Sequence, residues 1–90
     1  MPEEILFETE SKRSRDDVAE MLRSIATKVE RGDLTLRAGD QSVSIDIPQQ
    51  PTFEVKVERE TSATGPSELG LELELEWTEG EGGDGDLSIE

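Results

Sequence analysis

The sequence has few of the side chains with which enzymes usually carry out chemistry. It contains no Cys, His, Tyr or Asn. Nucleophilic catalysis by a Ser-His-Asp or Cys-His arrangement is therefore excluded, as is a zinc site that needs thiolates. A hydroxyl-lysine arrangement would need one of only three lysines in a cleft: Lys12, Lys28 and Lys56. We therefore predict a non-enzymatic protein that uses no cofactor.

Carboxylates are the most abundant groups that could do acid-base chemistry. Glu72, Glu74 and Glu76 alternate with apolar residues, so they lie on the polar face of a predicted strand, where solvent keeps a carboxylate ionised. An enzyme that uses only Glu and Arg stays open as an alternative, and it requires a concave cluster with a shifted carboxylate pKa. The residues considered for it are Glu58 or Glu8 beside Arg37 or Arg59.

Two short patterns near the end of the chain resemble ligand sites. Gly80, Gly82 and Gly85 match a Gly-x-Gly-x-x-Gly string, but too few residues follow to form the helix that binds a pyrophosphate. Asp84 and Asp86 lack the twelve-residue spacing of a calcium loop. We therefore predict neither a dinucleotide site nor a dedicated metal site.

The net charge indicates an unusual salt environment. Asp and Glu number 23 against 9 Lys and Arg, which gives a formal charge of -14 and a pI near 4.2. Such a charge repels itself in dilute buffer, whereas molar salt shortens the screening length to about 3 Å. We therefore expect a protein adapted to a high-salt cytoplasm that binds neither nucleic acid nor anionic membranes. No apolar run is long enough for a signal peptide or a spanning helix.

Hydrophobic periodicity predicts a short strand and then one helix. Residues Glu4–Glu10 alternate in an extended pattern. Ser14 is a predicted N-cap, and Gly32 stands where a left-handed residue ends a helix. Apolar residues between them recur every three or four positions, at Val18, Leu22, Ile25 and Val29.

Beyond Gly32 the period changes to two, which predicts strands. Leu34–Ile47 reads as a hairpin with a turn at Ala38–Gln41, and Phe53, Val55 and Val57 indicate a further strand. Pro48 and Pro51 bracket the connection between them. The clearest strand runs from Leu69 to Trp77, where Leu alternates mainly with Glu.

These elements predict an α+β fold in which one helix packs on an antiparallel sheet of about five strands, in the order β-α-β-β-β-β. The domain covers residues 1–79, and residues 80–90 form a disordered, acidic, Gly-rich tail. The first strand would lie antiparallel beside the last or parallel beside the second, and the sequence leaves both open. Phe7 and Phe53 are assigned to the core.

The ordered set of elements resembles the amphi-Trp domain family, small prokaryotic proteins that are frequent in haloarchaea. The match is carried by Leu6-Phe7-Glu8, the helix closed by Gly32, the Leu34–Ile47 hairpin, and the amphipathic strand that ends in Trp77. The resemblance covers roughly residues 4–79. It implies the fold, and it brings no activity and no active-site residues.

The remaining candidates for function are apolar groups without an evident internal position. They are Leu6, Met21, Leu87 and Ile89. Trp77 continues the Leu69–Leu75 face and is expected to be a core or sheet-edge anchor, and it is added to them as a possible interaction residue. Because an open sheet also has free edges, they favour an interaction or accessory module that contacts an unknown protein or a second copy of itself. The alternative is a carrier of a small apolar ligand between helix and sheet, suggested by the Leu-rich strand.

Overall fold

The computed structural model describes residues 2–80, and these form one helix and four strands. In chain order they are α1 (Arg15–Arg31), β1 (Asp33–Ala38), β2 (Gln41–Asp46), β3 (Thr52–Glu60) and β4 (Glu68–Glu76). The chain divides into two compact units, with the boundary between Ile47 and Pro48. The predicted α+β class is confirmed.

Helix α1 begins and ends where its capping residues predict. The Ser14 backbone is extended, and its hydroxyl accepts a hydrogen bond from the Asp17 N–H at 3.1 Å, which satisfies one of the unpaired donors of the first turn. Gly32 has φ +93°, and its N–H donates to the carbonyls of Lys28 and Val29 at 2.9 and 3.1 Å. The predicted helix is therefore confirmed at both ends.

Strands β1 and β2 form the first antiparallel hairpin, which turns between Ala38 and Gln41 as predicted. Leu34 pairs with Ile45, and these two residues are half-buried on the same face. The opposite face is polar and carries Thr35 and Ser44, whose hydroxyls are 2.8 Å apart. Because α1 contacts β1, the helix and this hairpin make up one structural unit.

The predicted first strand, Glu4–Glu10, is wrong. The segment belongs to no helix or strand, and it is held instead by one side chain. Gln41 Oε1 accepts a hydrogen bond from the Glu8 N–H at 3.1 Å, and Gln41 Nε2 donates to the Glu8 carbonyl at 3.0 Å. The side-chain amide thus replaces a neighbouring strand at a single residue, which is too little to extend a ladder.

Strands β3 and β4 form the second antiparallel hairpin, with nine consecutive residue pairs from Thr52–Glu76 to Glu60–Glu68. The prediction of a single five-stranded sheet is wrong for residues 2–80, which contain two sheets of two strands each. Pro48 and Pro51 stand between the hairpins, and neither residue can donate a hydrogen bond to a ladder. The predicted tail, apart from Gly80, lies outside the described residues.

Candidate interaction surface

Alternation along β3 and β4 divides the second hairpin into two chemically different faces. The pairs Phe53–Leu75, Val55–Leu73 and Val57–Leu71 are directly opposite each other, so their side chains point to the same side. Leu69, which pairs with Arg59, continues this side on β4. We call it the apolar hairpin face, and it comprises Phe53, Val55, Val57, Leu69, Leu71, Leu73 and Leu75.

Most of the apolar hairpin face is open to solvent. Val57 is 70% exposed, Leu69 69% and Phe53 63%, while Leu73 is 47% exposed and Leu75 is half-buried. The sequence analysis assigned Phe53 to the core, and that assignment is wrong because the side chain is mostly exposed. A contiguous row of exposed large apolar side chains is typical of a surface that contacts another molecule.

The other side of the hairpin is strongly acidic, and we call it the acidic hairpin face. It comprises Glu54, Lys56, Glu58, Glu72, Glu74 and Glu76. The Lys56 Nζ atom lies 3.7 Å from Glu72 Oε2 and 3.9 Å from Glu58 Oε2. The three side chains are at least half exposed. Because solvent screens their charges, these ion pairs add little to the stability of the hairpin.

The pair Glu54–Glu74 brings two carboxyl groups together on the acidic hairpin face. A hydrogen bond with Glu54 raises the pKa of Glu74, and the charges of Glu54, Glu76 and Glu72 raise it further. The neighbouring negative charges therefore favour the protonated form of Glu74. Residues 2–80 hold no cluster of acidic side chains arranged to bind a metal ion.

Substituting Glu74 should stabilise the second hairpin at neutral pH. Because the pKa of Glu74 is raised in the folded state, the protonated Glu74 side chain stabilises the folded state at pH values below its ordinary pKa of 4.5. That contribution is lost as the pH rises through the folded pKa. We therefore expect Glu74→Gln to raise the melting temperature at pH 7 in low salt and to change it little at pH 4.

The emission of Trp77, the only Trp in the chain, reports the unfolding in this experiment from a position next to β4. Glu3→Gln is the matched control because it makes the same change in net charge outside the hairpin. Equal gains from both substitutions at pH 7 would mean that only net charge matters. The Glu54–Glu74 contact would then have no specific effect.

The first unit has a basic depression that the sequence analysis did not identify. It is shallow and is lined by Lys28, Arg31, Asp33, Thr35 and Arg37. Arg31 Nη2 lies 3.1 Å from Asp33 Oδ2, and Arg31 Nε donates to Asp33 Oδ1 at 3.3 Å. This hydrogen bond and the charge of Arg31 lower the pKa of Asp33. The signal in the sequence was a pair of opposite charges on either side of the helix-ending glycine.

The predicted surface residues are found in different surroundings. Leu6 is 62% exposed in the N-terminal segment, and Met21 is 48% exposed on α1. Trp77 is half-buried, directly after β4. Leu87 and Ile89 lie outside the described residues. Among residues 2–80, the apolar hairpin face therefore forms a larger exposed apolar surface than Leu6, Met21 or Trp77.

The candidate acid-base residues are not gathered into a visible site within either unit. Glu58 and Arg59 are consecutive in β3, so their side chains point to opposite faces. Glu58 is close to Lys56. Glu8 is held by Gln41 through its backbone, and Arg37 lines the basic depression. The hypothesis of an enzyme based on Glu and Arg gains no support from these positions.

Comparison with known proteins gives one result. The family model of the Amphi-Trp domain matches residues 1–90. No curated protein and no solved structure gives a significant match. Within residues 2–80, α1 is neither long nor apolar enough to cross a bilayer.

Proposed function

The chain belongs to the Amphi-Trp domain family, and we propose that it is a non-enzymatic interaction module, adapted to high salt, that binds a partner through the apolar hairpin face. The observation that carries this proposal is the exposure of six large apolar side chains on one side of β3 and β4. They are Phe53, Val55, Val57, Leu69, Leu71 and Leu73.

The stability of a two-stranded sheet supports this proposal. A single hairpin is marginally stable in water, and it usually needs a third strand or a packed helix over its apolar side. Strands β3 and β4 are paired only with each other within residues 2–80. A partner that covers the apolar hairpin face would therefore stabilise the hairpin as it binds.

The acidic hairpin face supports the second part of the proposal, which is adaptation to high salt. Its carboxylates repel one another in dilute buffer. The hydrogen bond with Glu54 and then this repulsion raise the pKa of Glu74. Molar salt screens the repulsion. It does not weaken burial of the apolar side, because that burial does not depend on charge.

The carrier of a small apolar ligand remains the alternative, and the described residues offer little support for it. No side chain among residues 2–80 is fully buried, whereas a ligand pocket is enclosed and mainly apolar. The depression beside α1 is lined by charged groups and Thr35. That lining suits a polar molecule.

Affinity capture from the native lysate at molar salt tests the interaction module. The double substitution Val55→Thr and Val57→Thr keeps β-branched side chains on β3 while it adds hydroxyls to the apolar hairpin face. We expect the double variant to bind the captured protein about tenfold more weakly than the unsubstituted chain does, because burying an unpaired hydroxyl costs roughly 1–3 kcal/mol. The amount of that protein recovered from the lysate should fall accordingly.

Glu58→Gln serves as the matched control because it changes the acidic hairpin face of the same strand. It should reduce the amount of captured protein much less than the double variant does. A chain truncated after Glu79 shows in addition whether the remaining residues contribute to the contact. Equal recovery with the double variant and with the control would contradict binding through the apolar hairpin face.

A further inference from the structure

We propose that the partner on the apolar hairpin face is an amphipathic helix of another protein whose apolar stripe is flanked by Lys and Arg. This inference rests on the proposed function, and it adds the shape and charge of the partner. It is argued from the dimensions of β3 and β4, from the position of the carboxylates, and from the area available for contact.

The dimensions of the face match one helix. Each strand has nine residues, which span about 30 Å at roughly 3.4 Å per residue. Two strands lie about 4.8 Å apart, so with their side chains they form a surface about 10 Å wide. A helix has a diameter of about 10–12 Å, and about 20 residues span 30 Å. A wider partner, such as a sheet of several strands, would extend beyond the hairpin on both sides.

The charge around the face favours cations on that helix. The described part of the second unit, residues 48–80, contains eight Asp or Glu residues and two cations, Lys56 and Arg59. Arg59 lies on the apolar side at one end, opposite Leu69. The carboxylates point to the other side, and they lie close behind the apolar hairpin face because alternate residues of one strand supply both sides. Lys and Arg have long side chains. From positions flanking an apolar stripe, they can reach around the edges of the hairpin toward these carboxylates.

The same charges disfavour a second copy of this chain as the occupant. Two copies stacked through their apolar hairpin faces would bring two net charges of -14 together, and like charges oppose association wherever salt does not screen them. A basic helix has the opposite sign. It is attracted over the same range of salt in which a second copy is repelled.

The area indicates a reversible contact. A surface of about 30 by 10 Å covers roughly 300 Å² on each partner, which is well below the ~800 Å² per partner of a stable complex. The complex therefore falls in the class of transient interactions. Its affinity should depend on charge more strongly than that of a large apolar interface.

Two synthetic peptides test this inference with the full chain. Both have about 18 residues, form an amphipathic helix with the same Leu stripe and contain no Trp or Tyr; one has Lys beside the stripe and the other has Glu. Trp77 is the only Trp and directly follows β4, so its emission reports binding. At the lowest KCl concentration at which the chain is folded, we expect the Lys peptide to bind about tenfold more tightly or better.

Two further measurements test whether charge causes the preference and whether the peptide binds at the apolar hairpin face. The difference between the peptides should narrow in molar KCl, where the screening length falls to about 3 Å. The combined Val55→Thr and Val57→Thr substitutions should weaken binding of the Lys peptide, and Glu58→Gln should weaken it less. If the affinity for the Lys peptide were the same in this double variant as in the unsubstituted chain, the contact would lie elsewhere and the inference would be overturned.

The other outcomes separate this inference from the proposed function. Equal binding of the two peptides would overturn the basic partner and leave the apolar hairpin face as an interaction surface. If neither peptide binds and sedimentation shows a dimer that Val55→Thr and Val57→Thr dissociate, the occupant is a second copy. If neither peptide binds and the chain stays monomeric, the inference fails, and the lysate capture decides the proposed function independently.

Discussion

The melting temperature of the full chain should rise by at least about 10 °C between dilute buffer and molar KCl at pH 7, on the scale where about 1 kcal/mol shifts a small domain by 4–8 °C. The formal charge of -14 is spread over 90 residues, and no described side chain is fully buried to counter the repulsion. Added salt shortens the screening length from about 10 Å at 0.1 M to about 3 Å at 1 M. Most of the repulsion between carboxylates is then removed.

Circular dichroism of α1 follows the unfolding of the first unit, and the emission of Trp77 follows that of the second unit. The control is a variant that carries Glu72→Gln, Glu74→Gln and Glu76→Gln, which removes three charges from β4. Its Trp77 transition should depend less on KCl than that of the unsubstituted chain. A melting temperature that is unchanged by salt would contradict the role given to charge repulsion.

Replacing Gly32 with Ala should lower the free energy of unfolding of the first unit by about 1–2 kcal/mol, the cost of a left-handed backbone for a residue with a Cβ. Gly32 has φ +93° and caps α1, and its carbonyl accepts a hydrogen bond from the Ile47 N–H at 2.8 Å. An added Cβ would lie 3.5 Å from the Ile47 carbonyl oxygen. That distance is an ordinary contact, so the cost comes from the backbone conformation.

Urea denaturation followed by the circular dichroism of α1 measures this loss. Gly32→Asn is the informative comparison, because Asn tolerates the left-handed region better than Ala does, and it should recover part of the stability. Gly70→Ala is the control in β4, where no heavy atom lies within 4 Å of an added Cβ. If Ala and Asn at position 32 had the same effect, backbone strain would not be the cause.

Local chemistry explains the part of the fold that the sequence predicts well. The ends of α1 depend on groups within a few residues, namely the Ser14 hydroxyl and the glycine that follows Arg31. The first hairpin likewise depends on its own turn and on the alternation of Leu34 and Leu36. Such features form through neighbours in sequence, so they can be identified from the sequence itself.

The predictions that failed depended on contacts between distant residues. The alternation in Glu4–Glu10 fits a strand, but a strand also needs a partner, and the structure provides only the Gln41 amide. The single sheet failed for a similar reason. Alternation in β2 and β3 predicts that each is a strand, but it does not determine which strands pair across Pro48 and Pro51.

The candidate site was predicted only in part. Alternation from Leu69 to Leu75 correctly predicts that these residues share one side of a strand. The same pattern appears whether that side is covered or open, so Phe53 was assigned to the core. Exposure depends on the surrounding chain and is not determined by the period of one strand. Leu6 and Met21, chosen because they lay outside the apolar patterns, are exposed but lie apart from the hairpin in sequence.

The nine unbroken residue pairs of β3 and β4 also bear on the risk of aggregation. A long, regular strand with an apolar side is a template for fibrous aggregation. Here nearly every second residue of β4 is a Glu, so a β4 strand of another molecule that paired in register with the edge of β4 would align carboxylate with carboxylate. The same alternation that gives the hairpin an apolar side therefore also places on it the charges that oppose growth into fibres.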